Sequence, residues 1–238
     1  MNAPQFDNPV FVALDTPDLS RALAIARAVK PHVGGLKVGL EFLSALGPEG
    51  VRKIVEIGLP VFADTKFHDI PNTVAGASRS IAMLGVAMFN VHASGGEAMM
   101  RAAMAAIADI HPRPLLVAVT VLTSLDDSVL DSVGQWGPAA AQVERLATLT
   151  KTSGLDGVVC SAREIAMVRL ATGSEFLTVV PGIRPAGGDP DDQRRVMTPT
   201  EARAAGADIL VIGRPITAAA DPAAAAQSIA RELLGTRV

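Results

Sequence analysis

Eight short apolar runs, each followed by a longer amphipathic stretch, recur along the whole of this 238-residue chain, and that alternation restricts the fold more than any other feature. The runs occupy residues 10–14, 35–40, 59–63, 88–92, 115–122, 157–160, 176–180 and 209–212. They are too short for helices and apolar on both faces, as strands of a covered parallel sheet must be. Between them, Leu19, Leu23, Ile25, Ala26 and Val29 give an apolar side to a helix capped by Asp18 or Ser20. Further helices are expected over about residues 41–57, 70–84 and 138–152, after Gly95-Gly96, and from Ser161 to about Leu170. Thr198-Pro199-Thr200-Glu201 reads as a capped helix start, and an Ala-rich helix closes the chain. Residues 126–137 read as a polar loop or a short helical insert, and 185–197 as a long Gly/Pro/Asp-rich loop. Alternating strands and helices imply a parallel sheet with right-handed crossovers; eight units at this length imply a closed (β/α)8 barrel with residues 1–238 as one domain. An open doubly wound sheet is the competing fold, but no Gly-x-Gly-x-x-Gly follows the first strand.

Composition narrows the function. A hydrophobic content of 49% is enough for a substantial core, which excludes disorder. The formal charge of −3 argues against a nucleic-acid binder held by phosphate contacts. The N-terminal residues lack the basic-then-apolar pattern of a signal peptide, and no apolar run approaches the ~20 residues that span a bilayer, so a cytoplasmic protein with no membrane partner is expected. Cys160, the single cysteine, lies in an apolar strand and reads as a packed core thiol. With 3% aromatics and no tyrosine, a binding pocket must be built from aliphatic walls and polar groups.

Chemistry concentrates in the segment Asp64-Thr65-Lys66-Phe67-His68-Asp69-Ile70-Pro71-Asn72-Thr73. Strand alternation turns Asp64 and Lys66 to the same face at the end of the third run, with Asp69 in the loop and Ile70-Pro71 opening a helix. An isolated Asp-x-Lys is often an exposed ion pair of little worth. Here other polar residues stand at equivalent positions: Asp15 after the first run, Lys37 on the second between Gly35 and Gly39, Thr123-Ser124 after the fifth, Arg184 after the seventh and Gly213-Arg214 after the eighth. In a (β/α)8 barrel these strand ends converge on one face, where active sites lie. Helix starts after the seventh and eighth strands would add backbone N–H groups for a phosphate. The four histidines do not fall at metal-ligand spacing, so no metal is expected.

The string Asp64-x-Lys66-x-x-Asp69-Ile70-Pro71-x-Thr73, with Phe67-His68, resembles the bacterial orotidine 5'-monophosphate decarboxylase family. Asp15, Lys37, Thr123-Ser124, Pro181-Gly182-Ile183-Arg184, Gln193 and Gly213-Arg214 extend the resemblance, in order, over nearly the whole chain. It implies a cofactor-independent decarboxylase acting on a nucleotide, with Lys66 as proton donor to C6 of the pyrimidine and Asp64 and Lys37 completing a charged relay. It implies Asp15 and Lys37 at the ribose, Ser124 at the base, Thr123 among the substrate-binding residues, and Arg184, Gln193, Gly213 and Arg214 at the phosphate. It also implies a homodimer in which Asp69 and Thr73 reach the partner's site. Some relatives carry a tyrosine in the phosphate loop, which this chain lacks.

Two rival readings follow from the same residues. A sugar-phosphate decarboxylase or hexulose-phosphate synthase would share the Asp-x-Lys-x-x-Asp string but use magnesium, with an acid on the second strand where this chain has Lys37. A non-catalytic phosphate-binding module would account for Arg184, Gln193 and Arg214 but leave the Asp64/Lys66/Asp69 cluster without a use.

Overall fold

The structure, a computed structural model, describes residues 6–185 and 197–235. Eight parallel strands close into a barrel in sequence order: β1 (Val10–Ala13), β2 (Gly35–Val38), β3 (Val61–Phe67), β4 (Met88–His92), β5 (Leu115–Val119), β6 (Gly157–Val159), β7 (Leu177–Val180) and β8 (Ile209–Ile212), with β1 pairing β8. The outer layer comprises α1 (Leu19–Val29), α2 (Leu40–Val55), α3 (Pro71–Ala82), α4 (Glu97–Ala105), α5 (Asp127–Ser132), α6 (Ala139–Thr152), α7 (Ile165–Thr172), α8 (Pro199–Ala204), α9 (Arg214–Thr217) and α10 (Pro222–Gly235). This is the (β/α)8 barrel expected from the eight-fold alternation. No described helix is long and apolar enough to cross a membrane.

Side-chain alternation sorts the core into two shells. Val10, Val12, Leu36, Val38, Phe89 and Leu116 point outward and pack under the helices with Ile25, Phe42, Ile54 and Met99. Phe11, Phe62, Met88, Leu115, Val117, Leu177, Val179, Ile209 and Val211 point inward and fill the barrel. The inward positions of β2 are Gly35 and Lys37 instead. A Cβ on Gly35 would stand 2.3 Å from a ring carbon of Phe11, so the glycine makes room for that ring to cross the barrel axis. Phe6 closes the lower end, packing edge-on against Phe11 with ring centroids 5.1 Å apart. Met99 and Met100 are fully buried and Met104 packs against the core, in the packing role their spacing suggests.

Helix starts follow the local chemistry. Asp18 caps α1, accepting from the N–H groups of Ser20 and Arg21, and Thr198 with Glu201 forms a capping box on α8. Several boundaries differ from the sequence expectation. β2 stops at Val38, because Gly39 has left strand geometry and Leu40 already begins α2; α2 itself kinks at Gly47-Pro48. β5 stops at Val119, and the 126–137 segment contains the short helix α5, capped by Asp126. After β7 the chain turns through Gly182, with φ +76°, to Ile183, which bridges to Met197, and the next described helix begins only at Pro199. The expected helix start directly after the seventh strand is therefore absent among the described residues, whereas α9 does begin directly after β8.

Candidate active site

The C-terminal strand ends enclose a cavity of about 520 Å³. Its lower wall is Val119, Val159, Val179 and Val211, the aliphatic lining that the shortage of aromatics anticipated, with Phe62 as an aromatic exception. Its polar lining includes Asp15, Lys37, Asp64, Lys66, Thr123, Arg184, Gly213 and Arg214, so eight of the sequence-selected residues converge as the closed barrel requires.

Asp64, at the top of β3, is the centre of the charge cluster. Its Oδ1 accepts from Lys66 Nζ at 2.6 Å and from Asn90 Nδ2 at 2.7 Å, and its Oδ2 lies 3.4 Å from Lys37 Nζ. Lys37 Nζ also donates to Asp15 Oδ1 at 2.9 Å. The result is a relay of alternating charge, Asp15–Lys37–Asp64–Lys66, across three neighbouring strands. Burial alone would push the Asp64 carboxyl up, but the Lys37 and Lys66 ammoniums and the donors from Lys66 and Asn90 outweigh it and hold the group below the ordinary aspartate value. Asp64 is thus a fixed anion at neutral pH. Lys37 is 6% exposed, its ammonium buried between the two carboxylates. Gly39 is needed because the ion pair fills its space: a Cβ there would stand 2.6 Å from Asp15 Oδ1 and 2.7 Å from Lys37 Nζ.

Lys66 reaches Asp64 by a route that strict alternation does not describe. Its φ of +51° makes it the sole non-glycine residue with positive φ among the described residues, and the β3–β4 register slips between Ala63 and Phe67. The side chain is aimed by a bulge, a device common beside active sites.

Three selected residues stay outside the cavity. Asp69 and Thr73 are exposed around the start of α3, beside Ile70 at 67% exposure, and Ser124 is exposed one residue beyond the lining Thr123. Gln193 lies outside the described residues. Sequence reading passed over Asn90, and it passed over Glu41, at the first turn of α2 on the cavity rim. An amide inside the otherwise apolar strand Met88–His92 was the available signal for Asn90, since a fully buried polar side chain requires partners. Cys160 touches the cavity, but burial pushes its thiol far up, which fits the core role and not a nucleophile. His68 stacks on His92 with ring centroids 5.7 Å apart. Burial, then His68 and Lys66, push His92 below the ordinary histidine value. Among the described residues, no group of three or more His, Cys, Asp or Glu side chains is arranged to hold a metal ion.

The profile of the family described as "Orotidine 5'-phosphate decarboxylase / HUMPS family" matches residues 8–229. An orotidine 5'-phosphate decarboxylase of Moorella thermoacetica is 55% identical over 230 residues, covering 94% of this chain and 91% of that protein. One of Paramagnetospirillum magneticum is 53% identical over 232 residues, covering 95% of this chain and 98% of that protein. The crystal structure of the orotidine 5'-phosphate decarboxylase from Lactobacillus acidophilus is similar with a TM-score of 0.85 at 39% identity, covering 95% of this chain and 99% of that one.

Proposed function

The chain belongs to the orotidine 5'-phosphate decarboxylase / HUMPS family, and from that premise we propose that it converts orotidine 5'-monophosphate to uridine 5'-monophosphate and carbon dioxide, the last step of de novo pyrimidine synthesis, without a cofactor and in the cytoplasm. The observation that carries the reading is the Asp15–Lys37–Asp64–Lys66 relay at the cavity. When the bond from C6 to the carboxylate breaks, its electron pair stays on C6 as an sp² carbanion with little resonance help. Stabilisation then has to come from the surroundings. The Lys66 ammonium suits that developing charge better than it suits the ground state, and it transfers its proton to C6 as carbon dioxide leaves. Asp64, ionised and anchored, fixes the ammonium and opposes the substrate carboxylate.

The remaining roles follow the family resemblance. Asp15 and Lys37 hold the ribose, Ser124 the base, and Arg184, Gln193, Gly213 and Arg214 the phosphate, with Thr123 also among the substrate-binding residues. Pro215 has no N–H to offer in the first turn of α9, so the guanidiniums carry most of the anion recognition. Asp69 and Thr73, exposed in this chain, complete the site of a second copy. Mixing equal amounts of inactive K66A and D69A chains should then restore about one quarter of the wild-type sites, by random pairing in a two-fold dimer. No recovery would remove the shared-site assignment.

The metal-dependent reading within the same family is opposed by Lys37. An ammonium stands between Asp15 and Asp64, the two carboxylates a divalent ion would need at this strand end. The direct test is to mix the purified protein with orotidine 5'-monophosphate and follow the loss of orotate absorbance, with and without EDTA. Turnover undiminished by the chelator supports the reading; no turnover, or turnover abolished by EDTA, overturns it.

A further inference from the structure

We propose that Asn90 is a positioning residue for the Lys66 proton donor: its side-chain amide replaces the strand pairing that the β3 bulge gives up, and so holds Lys66 in the backbone conformation that aims its ammonium into the cavity. The inference rests on the decarboxylase reading above. Ala63 pairs with Phe89 and Phe67 pairs with Val91, so Asp64, Thr65 and Lys66 together face the single residue Asn90. Three residues against one cannot all keep ladder hydrogen bonds. The Lys66 N–H donates instead to Asn90 Oδ1 at 2.7 Å, and the Thr65 hydroxyl to the Asn90 carbonyl at 2.6 Å. Asn90 Nδ2 turns the other way and donates to Asp64 Oδ1 at 2.7 Å, on the oxygen that also receives Lys66 Nζ.

One fully buried amide therefore fixes both ends of the Lys66 side chain, its backbone origin and the carboxylate its ammonium rests on. An amide can do both, because one end accepts and the other donates. A left-handed conformation is unfavourable for lysine and persists only when neighbouring groups impose it. Asn90 supplies that constraint.

The test uses N90A and N90D in the full chain, with folded sites counted by uridine 5'-monophosphate titration so that activity is expressed per binding-competent site. N90A should lower kcat per site by about 10²-fold while KM stays within about threefold, the pattern of a displaced proton donor and not of a lost binding contact. N90D gives a readout that a purely structural role would not move. When protonated, the carboxyl group introduced by N90D accepts from the Lys66 N–H and donates to Asp64 as the amide does; when ionised, it loses the donor and repels Asp64. The other charged or titratable groups around that point, Lys66, Lys37, His92 and His68, are common to both proteins, so the ratio of N90D to wild-type kcat isolates the change. That ratio should be highest at the acid end and fall as pH rises. Unchanged kcat per site in N90A, or a ratio flat with pH in N90D, would overturn the assignment; if N90A does not fold, the N90D profile decides. Wild type inactive on orotidine 5'-monophosphate would sink the decarboxylase reading instead, a separate outcome.

Discussion

The two ends of the barrel both hold partly buried ion pairs, and they connect them in opposite ways. At the N-terminal ends of the strands, Arg113 makes a two-pronged pair with Asp156, whose Oδ2 also accepts from the Leu116 N–H. Arg169, from α7, pairs with Asp208 and sends further N–H groups to the carbonyls of Ser174, Phe176 and Gly206, while Asp208 accepts from the Thr178 N–H. These charges end on the backbone of the adjoining loops and stitch them to the sheet. At the C-terminal ends, among the described residues, the ammoniums of Lys37 and Lys66 donate to carboxylates alone and border the cavity. The same residue types serve cohesion at one end and field at the other, and what separates them is whether the unused hydrogen-bonding capacity meets backbone or open space.

Substitutions at the two ends should divide accordingly. Lys66→Ala removes the proposed proton donor and should lower kcat by about 10³-fold or more, measured by orotate absorbance, with little change in Tm because a left-handed residue loses its long side chain without losing its backbone partners. Near-normal kcat would refute the donor role. Arg169→Ala should do the reverse: it strands Asp208 and several carbonyls, costing about 2 kcal/mol. That corresponds to a fall in Tm of about 4–8 °C for a chain this size, with kcat per folded site unchanged; an equal Tm with reduced kcat would erase the distinction between the ends.

Acid should expose a smaller difference. Asp64 is held below the ordinary value of 3.8, so its contribution to stability is fully present above that value and is lost as pH falls through the lower folded value. Asp64→Asn should make urea midpoints decline less steeply than wild type over that acid range, and parallel curves would mean that the relay adds nothing to folding. The smallest effect is expected outside both ends. Arg79 on α3 pairs at the surface with Asp109 in the turn beyond α4, and Arg79→Ala should leave both Tm and kcat where they were.

How much of this was legible in the sequence depended on whether the signal was local. The eight strands were visible because each is a short apolar run; Asp15, Asp64, Lys66, Arg184 and Arg214 were visible as charges just beyond such runs, and Lys37 as a charge inside one. Strand ends were misjudged where apolar character outlasts the pairing, as at Leu40 and at residues 120–122. The amide of Asn90 was a local signal that went unread, but the bulge it supports was not legible, because alternation already turns Asp64 and Lys66 the same way and nothing local reveals a slip against a neighbouring strand. Thr73 was selected by resemblance alone and Asp69 as the second acid of the charged string, and a single copy of the chain leaves both at its surface.

Phe11, lying across the space that Gly35 vacates, with Phe6 beneath it, turns the barrel from a pipe into a blind well. Under the proposed mechanism, whatever is made at Lys66 has one way out. Carbon dioxide and the nucleotide must therefore leave through the same mouth by which the substrate came in, and a ligand still seated in that mouth stands in the path of the gas.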